Sequence, residues 1–274
     1  MYALVKKFWP YLCLVHFVHL FSLEKKMADR YAIDPKGVFE SDLTMPVLGT
    51  VFYLLLVTVG PKVMMNRKPF ELKDSMIAYN AYQVIYNSWC CYGFVREVLG
   101  LGYANKLYIW GNYVDKIGNN FGLGFFIWLH YNNKYLEFFD TIFMVLRKKG
   151  AQLNFLHVYH HLTIAWAWWL VCNVLCGGDS YFGALYNSWI HVLMYSYYLM
   201  SALKVSCPWK KWLTKMQMVQ FVTCIAHAIY LYVYQTVPNI LPIVQIFMMS
   251  SLFALFYMFY MNKYKKAKVE KKAA

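Results

Sequence analysis

Three histidines with the spacing HxxHH stand at the beginning of one apolar run. His157, His160 and His161 lie within about 100° of arc on a helix, because each residue turns the helix by about 100°. Near neutral pH an imidazole can act as a nucleophile, as a proton carrier or as a metal ligand. Ionisable side chains inside an apolar segment are costly, so this face indicates a functional site.

A second polar group, with the pattern KxxExxDT, lies in the preceding apolar run. Its residues are Lys134, Glu137, Asp140 and Thr141. Lys134 and Glu137 are three residues apart and can form an ion pair, which lowers the cost of burying both charges. Taken alone, such a pair could also serve only to hold two helices together.

The pattern NxxxHxxMYxYY follows in a later run and places amide, imidazole and phenol groups on one helical face. The residues on that face are Asn187, His191, Met194, Tyr195 and Tyr198. A buried tyrosine often only packs. The combination of all three kinds of group in an apolar segment indicates the lining of a wet cavity.

Two glutamines, Gln217 and Gln220, lie one turn apart in another run. They could bind a substrate carbonyl, or they could hydrogen-bond between helices. His130 and His227 each stand alone in an apolar run, and for them we expect packing or a hydrogen bond.

The composition predicts an all-α polytopic membrane protein. The chain is 60% hydrophobic and 15% charged, whereas soluble domains are roughly 45–50% apolar and about 25% charged. Its apolar runs predict a domain of seven transmembrane helices over residues 43–262. The predicted spans are 43–59, 75–99, 121–146, 154–176, 181–203, 216–236 and 240–261.

Residues 1–42 are predicted to form an N-terminal interfacial or lumenal segment. The apolar stretch 8–23 is shorter than the roughly 20 residues that a spanning helix needs. An interfacial or packed helix is favoured, while a further span and a cleaved segment remain alternatives. Residues 24–42 are polar and are expected to form an exposed loop.

The net charge of +14 does not indicate a nucleic-acid partner. Lysines and arginines are concentrated in short loops and in the tail 263–274, as the positive-inside rule describes for membrane proteins. The pattern predicts a lumenal N-terminus and a cytosolic C-terminus. Lys271 and Lys272 resemble a dilysine retrieval signal, which predicts the endoplasmic reticulum membrane.

The seven cysteines contain no CxxC pair, so neither a zinc ribbon nor a disulfide framework is indicated. Cys172 and Cys176 are four residues apart and are expected to pack rather than bind metal. A disulfide remains open among five cysteines: Cys90, Cys91, Cys172, Cys176 and Cys224.

Taken in order, the four polar groups resemble the ELO family of very-long-chain fatty acid elongases, the 3-oxoacyl-CoA synthases. The resemblance extends from about residue 43 to the C-terminus, and it departs at Lys215, where the family often has glutamine. The HxxHH box alone is not specific, but its combination with KxxExxDT and NxxxHxxMYxYY is. Residues 152–161 and 194–198 are most similar to elongases of polyunsaturated chains, in particular those of microalgae and protists.

The resemblance implies six of seven helices around a narrow acyl tunnel and a decarboxylative condensation of acyl-CoA with malonyl-CoA. His160 would carry the acyl group, and His191 would assist from the opposite side. His157 and His161 would orient it, move protons or help to decarboxylate malonyl-CoA. Carboxylates can fix imidazole tautomers, and donors can stabilise an oxyanion. We expect Glu137 and Asp140 to fix tautomers, and Asn187 and Tyr195 to stabilise the oxyanion.

Substrate binding is expected from the polar residues Lys134, Gln217 and Gln220 and from cations at the cytosolic mouth. Those cations, which could hold the CoA phosphates or only set the topology, are Arg147, Lys148, Lys149, Lys204, Lys210 and Lys211. No tightly bound cofactor is expected. The expected partners are membrane lipid and a separate ketoreductase, dehydratase and enoyl reductase, and a homodimer remains open.

Two other classes of membrane protein compete with this interpretation. Membrane di-iron desaturases and hydroxylases also use HxxHH, but they need several histidine clusters, and this chain has one complete box among eight histidines. A transporter would also place polar residues at mid-membrane. The sequence has no convincing paired halves or repeated broken helices, which mark many transporters.

Overall fold

The computed structural model describes residues 2–32, 37–100, 108–112 and 121–273. Side chains are described within the same ranges for residue 11 and for residues 13–262. Every regular element in the described part of the chain is a helix. The α-helices are α1 Tyr2–Tyr31, α2 Thr44–Thr58, α3 Gly60–Met64, α4 Lys73–Val98, α5 Phe121–Leu136, α6 Phe138–Leu146, α7 Phe155–Val174, α8 Tyr181–Ala202, α9 Leu213–Tyr234 and α10 Ile240–Ala273.

Each of the seven apolar runs predicted from the sequence forms helix, so the all-helical class is confirmed. Among the described residues, three helical segments are long and apolar enough to cross a membrane: Thr44–Met64, Leu213–Tyr234 and Ile240–Asn262. Helices α4, α5, α7 and α8 contain more polar residues. The count of seven crossings therefore stays a prediction.

The N-terminal helix is longer than the sequence predicted. Residues 24–42 were expected to form an exposed loop, but α1 continues to Tyr31 and buries Met27. The exposed-loop prediction is also wrong for Phe39, which is 3% exposed. Apolar burial explains both differences, because the ring of Tyr31 packs on Phe39 and on Phe121 of α5, with centroid distances of 5.6 and 5.4 Å.

The predicted helix over 121–146 is interrupted at Glu137, between α5 and α6. The Asp140 N–H bonds to the Glu137 carbonyl at 3.1 Å, which is the tighter i to i−3 bond of a 3₁₀ turn. Such turns within a helix often mark functional positions. Here the turn falls inside the KxxExxDT pattern.

Close packing of α4 on α5 depends on a glycine. A Cβ atom at Gly93 would overlap the ring of Phe126. Phe94 and Phe125 belong to the same buried aromatic cluster and are fully excluded from solvent. The small residue lets the two helices approach and bury this layer.

All seven cysteines are free thiols, so the open question of a disulfide is answered. The Sγ atoms of Cys172 and Cys176 are 3.9 Å apart, and Cys172 is buried in the aromatic cluster. The expected packing role of these two cysteines is confirmed.

Candidate active site

The first cluster of the site joins α5 to α8 around the Glu137 carboxylate. Its Oε1 accepts from Lys134 Nζ at 2.7 Å and from Asn133 Nδ2 at 3.2 Å, and it lies 3.1 Å from His191 Nδ1. Lys134 Nζ also donates to Asn187 Oδ1 at 3.1 Å. The ion pair predicted between Lys134 and Glu137 is confirmed, and both side chains are 1% exposed.

The second cluster surrounds Asp140, one turn further along the chain. Its Oδ2 accepts from Tyr195 Oη at 2.7 Å and from Tyr79 Oη at 3.1 Å. Gln83 Nε2 donates to the same Tyr79 hydroxyl at 3.4 Å, and Asn87 Nδ2 donates to Gln83 Oε1 at 3.1 Å. A hydrogen-bonded chain of buried side chains therefore runs along α4 to this carboxylate.

The four polar groups recognised in the sequence do not include the α4 residues of this hydrogen-bonded chain. Tyr79, Gln83 and Asn87 follow each other at intervals of four residues and so share one helical face. Two amides on one face of an apolar run are the signal that could have revealed them. All three side chains are at most 2% exposed.

The histidine box forms a third cluster between α7, α6 and α2. The Nε2 atom of His157 is 2.7 Å from Thr141 Oγ1, and that hydroxyl is 3.0 Å from Tyr53 Oη. Asn154 caps α7 by accepting the His157 N–H through its side chain at 3.0 Å. The ring of His161 lies 4.4 Å from that of His157, between centroids. Tyr53 was also missed from the sequence.

The three histidines do not all face the same cavity. His160 lines a cavity between α7, α8, α9 and α10. His157 and His161 turn instead toward Thr141 and Tyr53. The arc of about 100° that places them on one face also separates His160 from the other two.

That cavity has a mostly apolar lining with a few polar side chains. It contains about 810 Å³ of empty space, its openings included. Three of the predicted site residues line it: His160, Asn187 and Gln220. Apolar side chains, among them Ile164 and Leu231, make up most of the remaining lining, which also contains Ser180 and Gln245. This shape suits an apolar chain whose reactive group lies beside an imidazole.

Several buried polar atoms of these clusters, among them one on Glu137 and one on His161, point to a ligand or an ordered water. Glu137 Oε2 and His161 Nδ1 are excluded from solvent and have no hydrogen-bond partner among the described residues. Leaving a buried polar atom unpaired costs about 1–3 kcal/mol. Within the described residues, no group of three or more His, Cys, Asp or Glu side chains is arranged to hold a metal ion.

The comparison with known proteins is decisive at the level of the family. Residues 38–272 match the model of the GNS1/SUR4 family, ELO. The chain belongs to this family. The resemblance derived from the four polar groups is thereby confirmed, whereas the similarity to protist enzymes stays a prediction. Helix α1 precedes the residues that the family model matches.

Several curated relatives match about two thirds of the chain. The chain is 40% identical over 196 residues to very long chain fatty acid elongase 7 of Rattus norvegicus. This match covers 69% of this chain and 68% of the relative. The chain is also 40% identical over 198 residues to very long chain fatty acid elongase 5 of Tachysurus fulvidraco, covering 69% and 65%. The chain thus spans about two thirds of the length of these relatives.

The remaining predicted residues of this ELO protein have other surroundings. Gln217 does not line the cavity, and its Nε2 is 4.0 Å from Met194 Sδ. His130 Nδ1 is 3.0 Å from Ser188 Oγ, so the expected hydrogen bond is confirmed. His227 packs between aromatic rings, with a centroid distance of 4.7 Å to Phe182.

The predicted cations lie at the C-terminal ends of α6 and α8 and in the segment before α9. Lys148 and Lys204 adopt left-handed φ angles of 56° and 61° where the two helices end. Lys148 Nζ donates to the carbonyls of Met65 and Arg67 at 2.9 and 3.1 Å. This lysine therefore holds a turn, a structural role that the sequence did not indicate. Arg147 is half-buried, whereas the other cations are exposed, namely Lys149, Lys204, Lys210 and Lys211.

Proposed function

We propose that this ELO protein condenses a long-chain acyl-CoA with malonyl-CoA and forms a 3-oxoacyl-CoA two carbons longer, with release of CO₂ and CoA. The observation that carries the proposal is the cavity, where His160 and Asn187 meet a mostly apolar lining. The names of the relatives, very long chain fatty acid elongases, support the same reaction. The activity is that of an acyltransferase.

In the first step, the unprotonated ring nitrogen of His160 attacks the thioester carbonyl of the acyl-CoA. The new C–N bond replaces the C–S bond, and the leaving thiolate takes the proton from the other ring nitrogen. The products are an acyl-imidazole and free CoA. Because His160 lines this mostly apolar cavity, the attached acyl chain can extend along its apolar side chains.

In the second step, malonyl-CoA loses CO₂ and becomes an enolate, which attacks the acyl carbonyl. The C–N bond to His160 breaks, and the leaving imidazolate takes a proton from water, so the whole reaction consumes one proton. Asn187 is suited to stabilise the negative oxygen, because its Oδ1 accepts from Lys134 and its N–H₂ group therefore points away. His191 lies against Glu137 and is available for proton transfer on the opposite side.

Tyr195 has a different role from the one expected from the sequence. Its hydroxyl proton is directed to Asp140 Oδ2 at 2.7 Å, so it positions that carboxylate rather than an oxyanion. Asp140 is partly exposed and serves as a proton acceptor for the substrate. Gln220 lines the cavity and binds a thioester carbonyl.

The finer architecture belongs to the same proposal. Seven helices cross the endoplasmic reticulum membrane, with a lumenal N-terminus and a cytosolic C-terminus, and six of them enclose the acyl tunnel. Cations at the cytosolic mouth, among them Arg147, Lys149 and Lys204, attract the CoA phosphates. The proposed retrieval signal, Lys271 and Lys272, lies outside the described side chains. A ketoreductase, a dehydratase and an enoyl reductase must act on the product in turn.

The proposal is tested with the purified full chain, malonyl-CoA and long-chain acyl-CoAs. Mass spectrometry should detect a 3-oxoacyl-CoA two carbons longer, and the intact protein incubated with acyl-CoA alone should gain the mass of one acyl group. His160→Ala should abolish both signals. A matched control is His19→Ala, since His19 is exposed on α1. Acylation of His160→Ala at the wild-type level would refute the acyl-histidine step, and bound iron without condensation would favour the di-iron alternative.

A further inference from the structure

One further amide, besides those of Asn187 and Gln220, lies in the cavity wall. Gln245 of α10 lines the cavity, and its Nε2 donates to the Cys224 carbonyl of α9 at 3.0 Å. Cys224 is one turn beyond Gln220, which places this amide roughly 6 Å further along the axis of α9. The amide therefore stands beside the chain of a bound acyl group and not beside its reacting carbonyl.

The chemistry of this amide does not match a saturated chain. A carboxamide has two N–H donors and one acceptor oxygen. In the part of the chain that the structure describes, the Cys224 carbonyl is the hydrogen-bond partner of Gln245 and uses one donor. Methylene groups offer no partner to the other polar atoms, and an apolar contact that removes water from them is unfavourable. The π electrons of a cis double bond accept an N–H group weakly, in the way that the face of an aromatic ring does.

Several other side chains that line the cavity are polarizable. Met248 and Met249 of α10 line the cavity, together with the aromatic rings of Phe221 and Trp168. Thioether sulfur is polarizable and adapts to irregular shapes, and the aromatic rings present π faces and edges. Branched side chains, among them Val244 and Leu252, line the same cavity, so the preference is assigned to the amide of Gln245 and not to the wall as a whole.

We propose that Gln245 is a specificity-determining residue that favours acyl chains with a cis double bond a few carbons from the thioester. The inference rests on the proposed condensation and narrows its substrate to unsaturated chains of this kind. It requires no chemical step at Gln245, because the amide contributes only to the binding of the chain.

The test is a competition between saturated and polyunsaturated acyl-CoAs of equal length, with excess malonyl-CoA and mass spectrometry of both products. Gln245→Leu should lower the preference for the polyunsaturated chain about three-fold, the effect expected for one weak N–H to π contact. Gln245→Met is a second variant in case the first folds poorly. Ile243→Leu, a change at an exposed residue of α10 that does not line the cavity, should leave the preference unaltered.

The position of the double bond sharpens the test. A substrate with double bonds only in the distal half of the chain should respond to Gln245→Leu as the saturated chain does. An unchanged preference in folded Gln245 variants, or an equal loss on all substrates, would overturn the inference. If the folded wild type condenses no acyl-CoA, the proposed function fails instead. Calorimetric binding of unreactive acyl-CoA thioethers would then test the Gln245 preference by the same ratio.

Discussion

Two carboxylates one turn apart meet different surroundings in this molecule. The Glu137 cluster surrounds its carboxylate with nitrogen groups, those of Lys134 and His191. The Asp140 cluster surrounds its carboxylate with neutral phenols, those of Tyr79 and Tyr195. Glu137 is 1% exposed, whereas Asp140 is partly exposed.

The difference indicates a structural role for the Glu137 carboxylate and a chemical role for the Asp140 carboxylate. A buried charge needs its partner, because removing one member of a buried ion pair costs about 3–5 kcal/mol. A carboxylate held by neutral donors loses less when one donor is removed, about 1.5–3 kcal/mol. We infer that the Glu137 cluster holds α5 against α8, and that the Asp140 cluster keeps a carboxylate available to substrate.

The largest expected effect follows from Glu137→Gln, which leaves the Lys134 ammonium buried without its counter-charge. The free energy of unfolding should fall by about 3–5 kcal/mol, and condensation should stop. Chemical unfolding in detergent, followed by tryptophan fluorescence, measures the change. The double variant Lys134→Met, Glu137→Gln is the control, because it should regain most of the stability without regaining activity. Wild-type stability in Glu137→Gln would contradict the assigned ion pair.

A smaller loss is expected for Tyr195→Phe, which removes the shorter of the two bonds to Asp140 at 2.7 Å. One hydrogen bond to a charged group contributes about 1.5–3 kcal/mol, so stability should fall by this amount. Condensation should slow more than acyl-CoA binding weakens, which steady-state kinetics resolves into kcat and KM. A rise in KM with unchanged kcat would show that Tyr195 contacts substrate and does not position Asp140.

The smallest effect is expected for Tyr79→Phe. The Tyr79 hydroxyl lies 3.1 Å from Asp140 Oδ2 and only 3.3 Å from the Leu136 carbonyl, so its proton is shared. We expect a stability loss of about 1 kcal/mol, near the mean for one hydrogen bond, and a smaller decrease of kcat than in Tyr195→Phe. The same unfolding and kinetic assays apply. A Tyr79→Phe loss larger than that of Tyr195→Phe would reverse the ranking of the two phenols.

The site was partly predictable because local spacing carries part of its information. Lys134 and Glu137 are three residues apart, and a helix necessarily brings such side chains together. The predicted ion pair therefore followed from sequence and was found at 2.7 Å. The different surroundings of the three box histidines did not follow from sequence. They depend on the neighbouring helices that His160 and His157 face.

The chain of Tyr79, Gln83 and Asn87 shows where local reasoning stopped. Its four-residue spacing is visible in the sequence, yet its meaning depends on Asp140, which lies far away along the chain. Helix α1 illustrates the same limit, since the polar residues after position 23 indicated a loop. Aromatic packing at Tyr31 gives that segment a buried side and extends the helix.

By itself the sequence determined the helical class, the membrane character, the family and the polar residues that share each helical face. These properties depend on composition and on a period of about 3.6 residues, both of which are local. Only the tertiary structure decided the 3₁₀ turn at Glu137, the α4 chain to Asp140 and the placement of His160 and Gln245 in one cavity. These features arise where helices that are distant in sequence pack together. The close packing between those helices places the side chains, and a local sequence pattern contains no information about it.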